Sequence, residues 1–128
     1  MRFIAIFSTA FLAVSCGTFI VSMPLYGEET DVAAKHLHQK IVQRGIGYLR
    51  TQGQASDGSY SAGSGPGVTA LITTAILRSG YTPQDPLVAR SLDYLRTFIQ
   101  KDGGIYAVGS IYRNYETSLA VMCFAEAE

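Results

Sequence analysis

The sequence predicts an all-helical protein in which two helical hairpins follow an N-terminal export segment. Three observations carry this prediction. Hydrophobic residues are concentrated in the first two dozen positions of a 128-residue chain. Beyond them, apolar residues recur three and four positions apart in four stretches, which is the spacing of one helical face. A block of sequence also repeats about 46 residues later, which is typical of a duplicated structural unit.

The N-terminal segment has the layout of a secretory signal. Arg2 precedes a long apolar run, and Pro24 and Gly27 end that run before two glutamates. A basic start, an apolar middle and a small-residue exit favour cleavage near Gly27. Residues 1–27 are therefore predicted to be a signal peptide, and residues 28–128 the folded domain, exported to the periplasm or cell envelope. A lipoprotein anchored through Cys16 and an uncleaved membrane anchor are the alternatives.

Charge and cysteine content argue against a nucleic-acid partner and against an internal disulfide. Loss of Arg2 with the signal leaves nine basic against ten acidic residues, so nothing indicates a nucleic-acid partner. Loss of Cys16 leaves Cys123 alone, which excludes an internal disulfide. We expect that thiol to be buried and inert.

The first unit, about residues 31–80, is predicted to be two helices joined by a loop rich in Gly, Ser and Ala. Asp31 is the expected cap of the first helix, and Gly80 is placed to end the second. The apolar stripe of the first helix is Leu37, Ile41, Val42, Gly45, Tyr48 and Leu49, and that of the second is Val68, Leu71, Ile72, Ala75 and Ile76.

The second unit, about residues 85–128, begins at Asp85-Pro86, a favourable N-cap and first-turn pair. Its two stripes are Val88, Leu92, Leu95 and Ile99, then Tyr115, Leu119, Met122 and Glu126. Ala125 to Glu128 are good helix formers with no stop signal. Two hairpins also bury little core, because repeat arrays generally need about three units. We therefore expect a truncated piece, or a chain that pairs with another.

Seven positions coincide at an offset of 46. The block Tyr48-Leu49-Arg50-Thr51 matches Tyr94-Leu95-Arg96-Thr97, and the other three pairs are Gln54 with Gln100, Gly58 with Gly104, and Tyr60 with Tyr106. An offset of 48 then aligns Thr69 with Thr117 and Leu71 with Leu119. A Gln amide can satisfy backbone groups at a neighbouring helix end, Gly permits a tight turn, and the aromatic covers it. We expect each motif to be a structural fastener between helices.

These blocks resemble the glutamine–tryptophan repeats of squalene and oxidosqualene cyclases, with Tyr60 and Tyr106 where that family has Trp. The resemblance implies an α/α-toroid, the fold shared with protein prenyltransferases, of which this stretch supplies two hairpins of an incomplete barrel. The implied partners are the rest of the toroid or another protein chain, with an apolar small molecule in the complete barrel.

The chemistry of that family is not visible in this stretch. Its Asp-x-Asp-Asp acid is missing, and Asp57 and Asp102 lie in Gly-rich turns, where Asp is ordinarily a turn residue. His36 and His38 are two apart and point to different sides of a helix. We therefore expect no catalytic residue, cofactor or metal, and a structural or binding role. The alternative is the N-terminal part of a terpene cyclase or prenyltransferase-like enzyme whose catalytic residues lie beyond residue 128.

Overall fold

A computed structural model describes residues 28–128, with side chains from residue 31 onward. The predicted signal segment and Cys16 lie outside these residues. Within them the regular structure is helical, which confirms the all-α prediction, and Ile99 and Ile105 form an isolated β-bridge. The elements are α1 (Glu28–Tyr48), a π-helical turn (Leu49–Gly53), a 3-10 turn (Ala62–Ser64), α2 (Pro66–Arg78), α3 (Pro86–Arg96) and α4 (Arg113–Glu126).

In residues 28–128, no helix has both the length and the apolar character that a bilayer crossing requires.

Helix α1 differs from its prediction at both ends. Asp31 was expected to cap it, but the helix already includes Glu28. Asp31 instead accepts a hydrogen bond from Lys35 at 2.8 Å, one turn later on the exposed surface, so the cap prediction is wrong. At the other end the helix widens into the π-helical turn, which contains one more residue than an α-turn would.

Two predicted helix boundaries are confirmed. Gly80 follows α2 with φ +91°, the conformation in which Gly has no steric penalty. Asp85 caps α3 by accepting a hydrogen bond from the Leu87 N–H at 2.8 Å. Pro86 occupies the first turn, where its missing N–H would have had no helical partner.

Helix α2 lies at the centre of the fold and packs against both α3 and α4. Its buried face differs from the predicted stripe, since Leu71 is half exposed and three threonines are buried. Thr73 and Thr74 donate to the carbonyls of Thr69 and Ala70, four residues earlier, at 2.7 and 2.8 Å. A pattern of apolar residues misses this face because the buried hydroxyls are hydrogen-bonded, those of Thr73 and Thr74 within their own helix and that of Thr69 to Tyr60.

Helix α3 buries the face that its stripe predicts, with Val88, Leu92 and Leu95 in the core. Ile99 is the exception, because α3 ends at Arg96 and Ile99 lies exposed beyond it.

Helix α4 is rotated relative to its predicted stripe. Tyr115 and Met122 were expected inside, but both are exposed. The buried residues are Glu116, Ala120 and Cys123. Cys123 is buried as expected, and desolvation raises the pKa of its thiol.

Candidate functional site: the paired repeat turns

The two repeat blocks form turns with the same hydrogen bonds. We call residues 55–60 turn A and residues 100–105 turn B. In turn A, the Gly58 N–H donates to the Ala55 carbonyl at 3.0 Å, and the Ser59 N–H donates to the Asp57 carboxylate at 3.0 Å.

Turn B repeats this arrangement. The Gly103 N–H donates to the Gln100 carbonyl at 3.0 Å, and the Gly104 N–H donates to the Asp102 carboxylate at 3.0 Å. The structure therefore aligns Gly103, with φ +86°, and not Gly104, with Gly58, whose φ is +89°. Within the turns the offset is 45, one less than in the preceding helices.

Both turns close on a threonine of the following helix. The Tyr60 N–H donates to Thr69 Oγ1 at 2.9 Å, and the Ile105 N–H donates to Thr117 Oγ1 at 3.0 Å. The predicted pairing of Thr69 with Thr117 agrees with this geometry. The residue equivalent to Tyr60 is therefore Ile105, and Tyr106 is the next residue along.

The π-helical turn explains the change of offset. The first unit places Leu49–Gly53 in a π-helical turn before turn A, whereas the second unit reaches turn B directly from the end of α3. Because a π-turn contains one extra residue, the offset decreases by one between helix and turn. A comparison of sequence letters at a fixed offset does not reveal this.

Gln54 joins the first unit to the second. Its side-chain amide donates to the Leu87 carbonyl at 2.7 Å and to Ser91 Oγ at 2.9 Å, both in α3. Ser91 Oγ in turn donates to the Gly58 carbonyl at 2.9 Å. This geometry is the one predicted for a fastener between a turn and a neighbouring helix. Two buried polar atoms at this junction, Gln54 Oε1 and the Tyr60 hydroxyl, have no partner among the described residues.

Gln100 does not reach a neighbouring helix. Its amide donates to the Phe98 and Tyr106 carbonyls at 3.1 and 2.8 Å, both beside turn B. The expectation that each glutamine contacts a neighbouring helix therefore holds for Gln54 alone. The one-residue shift is the reason, since Ile99 and not Gln100 directly precedes turn B as Gln54 precedes turn A.

The two tyrosines also differ. Tyr60 is buried in the core, and desolvation raises the pKa of its hydroxyl. Tyr106 is half exposed, donates its hydroxyl hydrogen to Asp102, and lies beneath the Arg113 guanidinium at 5.1 Å. That hydrogen bond raises the pKa of Tyr106 and lowers the pKa of Asp102. Of the two tyrosines, Tyr60 alone fills the interior beside its turn.

A second polar contact crosses from the first unit to α3. Arg50 Nη2 donates to both carboxylate oxygens of Asp85, at 3.0 and 3.2 Å. Burial acts to raise the pKa of Asp85, but Arg50 and the Leu87 N–H together hold it below its ordinary value. The residue that caps α3 is thus also an anchor for the end of the first helix.

Glu116 is a buried acid in the first turn of α4. It accepts hydrogen bonds from the Ala107 N–H at 2.9 Å and from Ser110 Oγ at 3.0 Å. A Cβ on Gly65 would lie 2.5 Å from one of its oxygens. A cavity of about 210 Å³ lies beside it, lined in part by Tyr112 and Tyr115. These bonds fix the connection before α4, so its role in the described structure is structural.

The histidines take no part in these contacts. His36 and His38 both lie on the exposed surface of α1. In the part of the chain that the structure describes, no three His, Cys, Asp or Glu side chains are grouped as a metal ion would require.

Comparison of the chain with models of protein families, with curated proteins and with solved structures finds no match in any of the three.

Proposed function

We propose that this chain is an exported repeat segment of the α/α-toroid kind, with a structural or binding role. It acts by packing helical hairpins side by side and offering their outer faces to a partner. The observation that carries the proposal is the recurrence of one turn, closed on Thr69 in the first unit and on Thr117 in the second. Units that contact their neighbours through such recurring elements are typical of repeat proteins, whose extended surfaces serve binding.

The contacts of Gln54 support coupling between the units. The Gln54 amide donates to two residues of α3, which is in the second unit, whereas Gln54 itself follows α1 in the first unit. Such a bond transmits the stability of one unit to the next, as nearest-neighbour interfaces do in repeat arrays.

This coupling predicts that Gln54→Leu lowers amide hydrogen-exchange protection in both units. Losing the Leu87 and Ser91 contacts leaves buried polar groups without partners, so we expect a loss of about 1–3 kcal/mol in the free energy of unfolding. Hydrogen exchange followed by mass spectrometry resolves α2 from α3. Gln100→Leu is the matched control, because it also removes two bonds, but both lie beside turn B. If Gln54→Leu lowers hydrogen-exchange protection in just one of the two units, the proposed function is contradicted.

Export is a separate part of the proposal, resting on the composition of residues 1–27. We expect the mature protein, recovered from the cell envelope of a bacterial host, to begin near Glu28 in intact-mass measurements. A mass increased by acyl chains on a chain beginning at Cys16 would indicate the lipoprotein form. An unprocessed chain in the cytosol would argue against export.

A further inference from the structure

Each unit leaves exposed part of the surface that its counterpart in the other unit buries. Helix α3 buries Leu87, Val88, Ser91, Leu92 and Leu95 against the first unit. At the offset of 46, the α1 equivalents are Ile41, Val42, Gly45, Ile46 and Leu49. Leu87 is 0% exposed and Ile41 is 60% exposed. Gly45 is also exposed, Val42 and Leu49 are half-buried, and Ile46 is buried in the chain's own core. We call this α1 surface the leading face.

The same comparison identifies a complementary surface on α4. Helix α2 buries Ala70, Thr73, Thr74 and Leu77 where α3 and α4 pack on it. At the offset of 48, the α4 equivalents are Ser118, Val121, Met122 and Ala125, all of which are exposed. Thr73 is 0% exposed and Val121 is 57% exposed. We call this α4 surface the trailing face.

Part of α2 completes the leading face. Helix α4 packs on α2 through a face that includes Glu116, Ala120 and Cys123. The equivalent α2 residues are Val68, Ile72 and Ala75. Ala75 is exposed, whereas Val68 and Ile72 are half-buried against the core. One chain therefore carries an exposed trailing face and a partly exposed leading face, which are the two kinds of surface that join its own units.

The charges at the helix ends fit the same arrangement. Within the chain, Arg78 at the end of α2 pairs with Glu126 at the end of α4, at 2.8 Å. A second copy placed after the first by the same unit-to-unit step would bring its Arg78 beside the first copy's Glu126. Opposite charges would then alternate along the row, which favours this register over a like-charged one.

The residues before the turns also fit a second copy placed after the first by the same unit-to-unit step. Within the chain, the polar pair Gln54 and Ser91 joins the units. Between copies, the equivalent residues are Ile99 and Gly45. Ile99 is exposed, and a Cβ built on Gly45 would have no atom within 4 Å. An apolar contact would replace the hydrogen bond, so no buried amide would be left without a partner.

We infer that the trailing face binds the leading face of a second copy of this chain, head to tail. The inference rests on the proposed function, since it extends the contact between units 1 and 2 from one chain to the next. A head-to-tail contact uses two different surfaces, so each added copy leaves one of each kind free until a ring closes. The expected assembly therefore contains two or more chains and contacts of one type.

The first arm of the test compares single substitutions in the full chain by analytical ultracentrifugation. We expect the unaltered chain to sediment as an assembly. Ile41→Glu on the leading face and Val121→Glu on the trailing face should each give monomers, because each buries a charge at the junction. Val108→Glu is the control, since Val108 is 89% exposed in a connection outside both faces. An unaltered chain that stays monomeric, or a control that also dissociates, would overturn the inference.

The second arm mixes the two dissociated variants. Ile41→Glu keeps an intact trailing face and Val121→Glu keeps an intact leading face, so one junction can form between them. We expect a one-to-one dimer from the mixture, while each variant alone stays monomeric. A mixture that remains monomeric would mean that the two faces do not bind each other.

Circular dichroism checks that both variants keep the helical content of the unaltered chain.

The two proposals can fail separately. A monomeric chain whose Gln54→Leu variant still loses protection in both units would refute the copy-to-copy contact and leave the proposed function standing. Loss of protection confined to one unit would refute the proposed function itself.

Discussion

Gly58→Ala is expected to lower the free energy of unfolding by about 3 kcal/mol or more, within the range of the most damaging single substitutions. Gly58 has φ +89°, and a Cβ built there would lie 2.2 Å from the Arg90 carbonyl oxygen of α3. That oxygen belongs to a helix backbone, so relieving the clash requires turn A and α3 to move apart. The same movement would weaken the Gln54 contacts with Leu87 and Ser91.

Gly103→Ala is the matched control, because Gly103 occupies the same place in turn B. Its φ of +86° is similar, but a Cβ there would meet no atom within 4 Å. Only the backbone strain remains, for which we expect about 1–2 kcal/mol. Urea denaturation of the three proteins at one concentration separates these effects. Equal losses at the two glycines would show that turn A does not pack against α3 as described.

Leu95→Ala should also destabilise the fold strongly, by about 2–5 kcal/mol. Leu95 is fully buried in the core cluster, so its removal leaves a cavity that α2 and α3 fill only partly. Ile99→Ala removes a side chain of similar volume at a position that is 55% exposed. We expect the Ile99 variant to lose less than about 1 kcal/mol. Similar urea midpoints for the two variants would place Leu95 outside the core.

Local signals in the sequence predicted the parts of this fold that depend on neighbouring residues alone. The cap at Asp85 and the helix end at Gly80 each follow from the stereochemistry of one or two residues. The stripe at Val88, Leu92 and Leu95 was also found, because α3 buries an ordinary apolar face.

The sequence did not predict features that depend on tertiary packing. Thr73 and Thr74 of α2 are polar, but their hydroxyls are hydrogen-bonded within their own helix. Glu116 is buried because it accepts a hydrogen bond from the Ala107 N–H, nine residues earlier in the sequence. The stripe of α1 was correctly apolar, yet Leu37, Ile41 and Tyr48 are exposed within residues 28–128. Apolar periodicity identifies a face suited to burial, but it does not say which surface covers that face.

The candidate site was predicted in part for a related reason. Gln54 and Gly58 occupy the positions that the repeat indicated, and Gln54 makes the expected contact with a neighbouring helix. Gln100, Gly104 and Tyr106 are displaced by one residue from their expected equivalents. Their letters match those of the first unit, but turn B takes its register from its own hydrogen bonds, and these begin at Gln100.

The π-helical turn at Leu49–Gly53 gives the first hairpin a tolerance to changes in length. An extra residue in a regular helix would rotate everything after it by about 100°, yet here the following turn keeps its form and its threonine contact. A one-residue difference in length between the two hairpins is therefore accommodated at this place without loss of the turn that follows. The same place offers protein engineers a splice point at which units of unequal length can be joined in series.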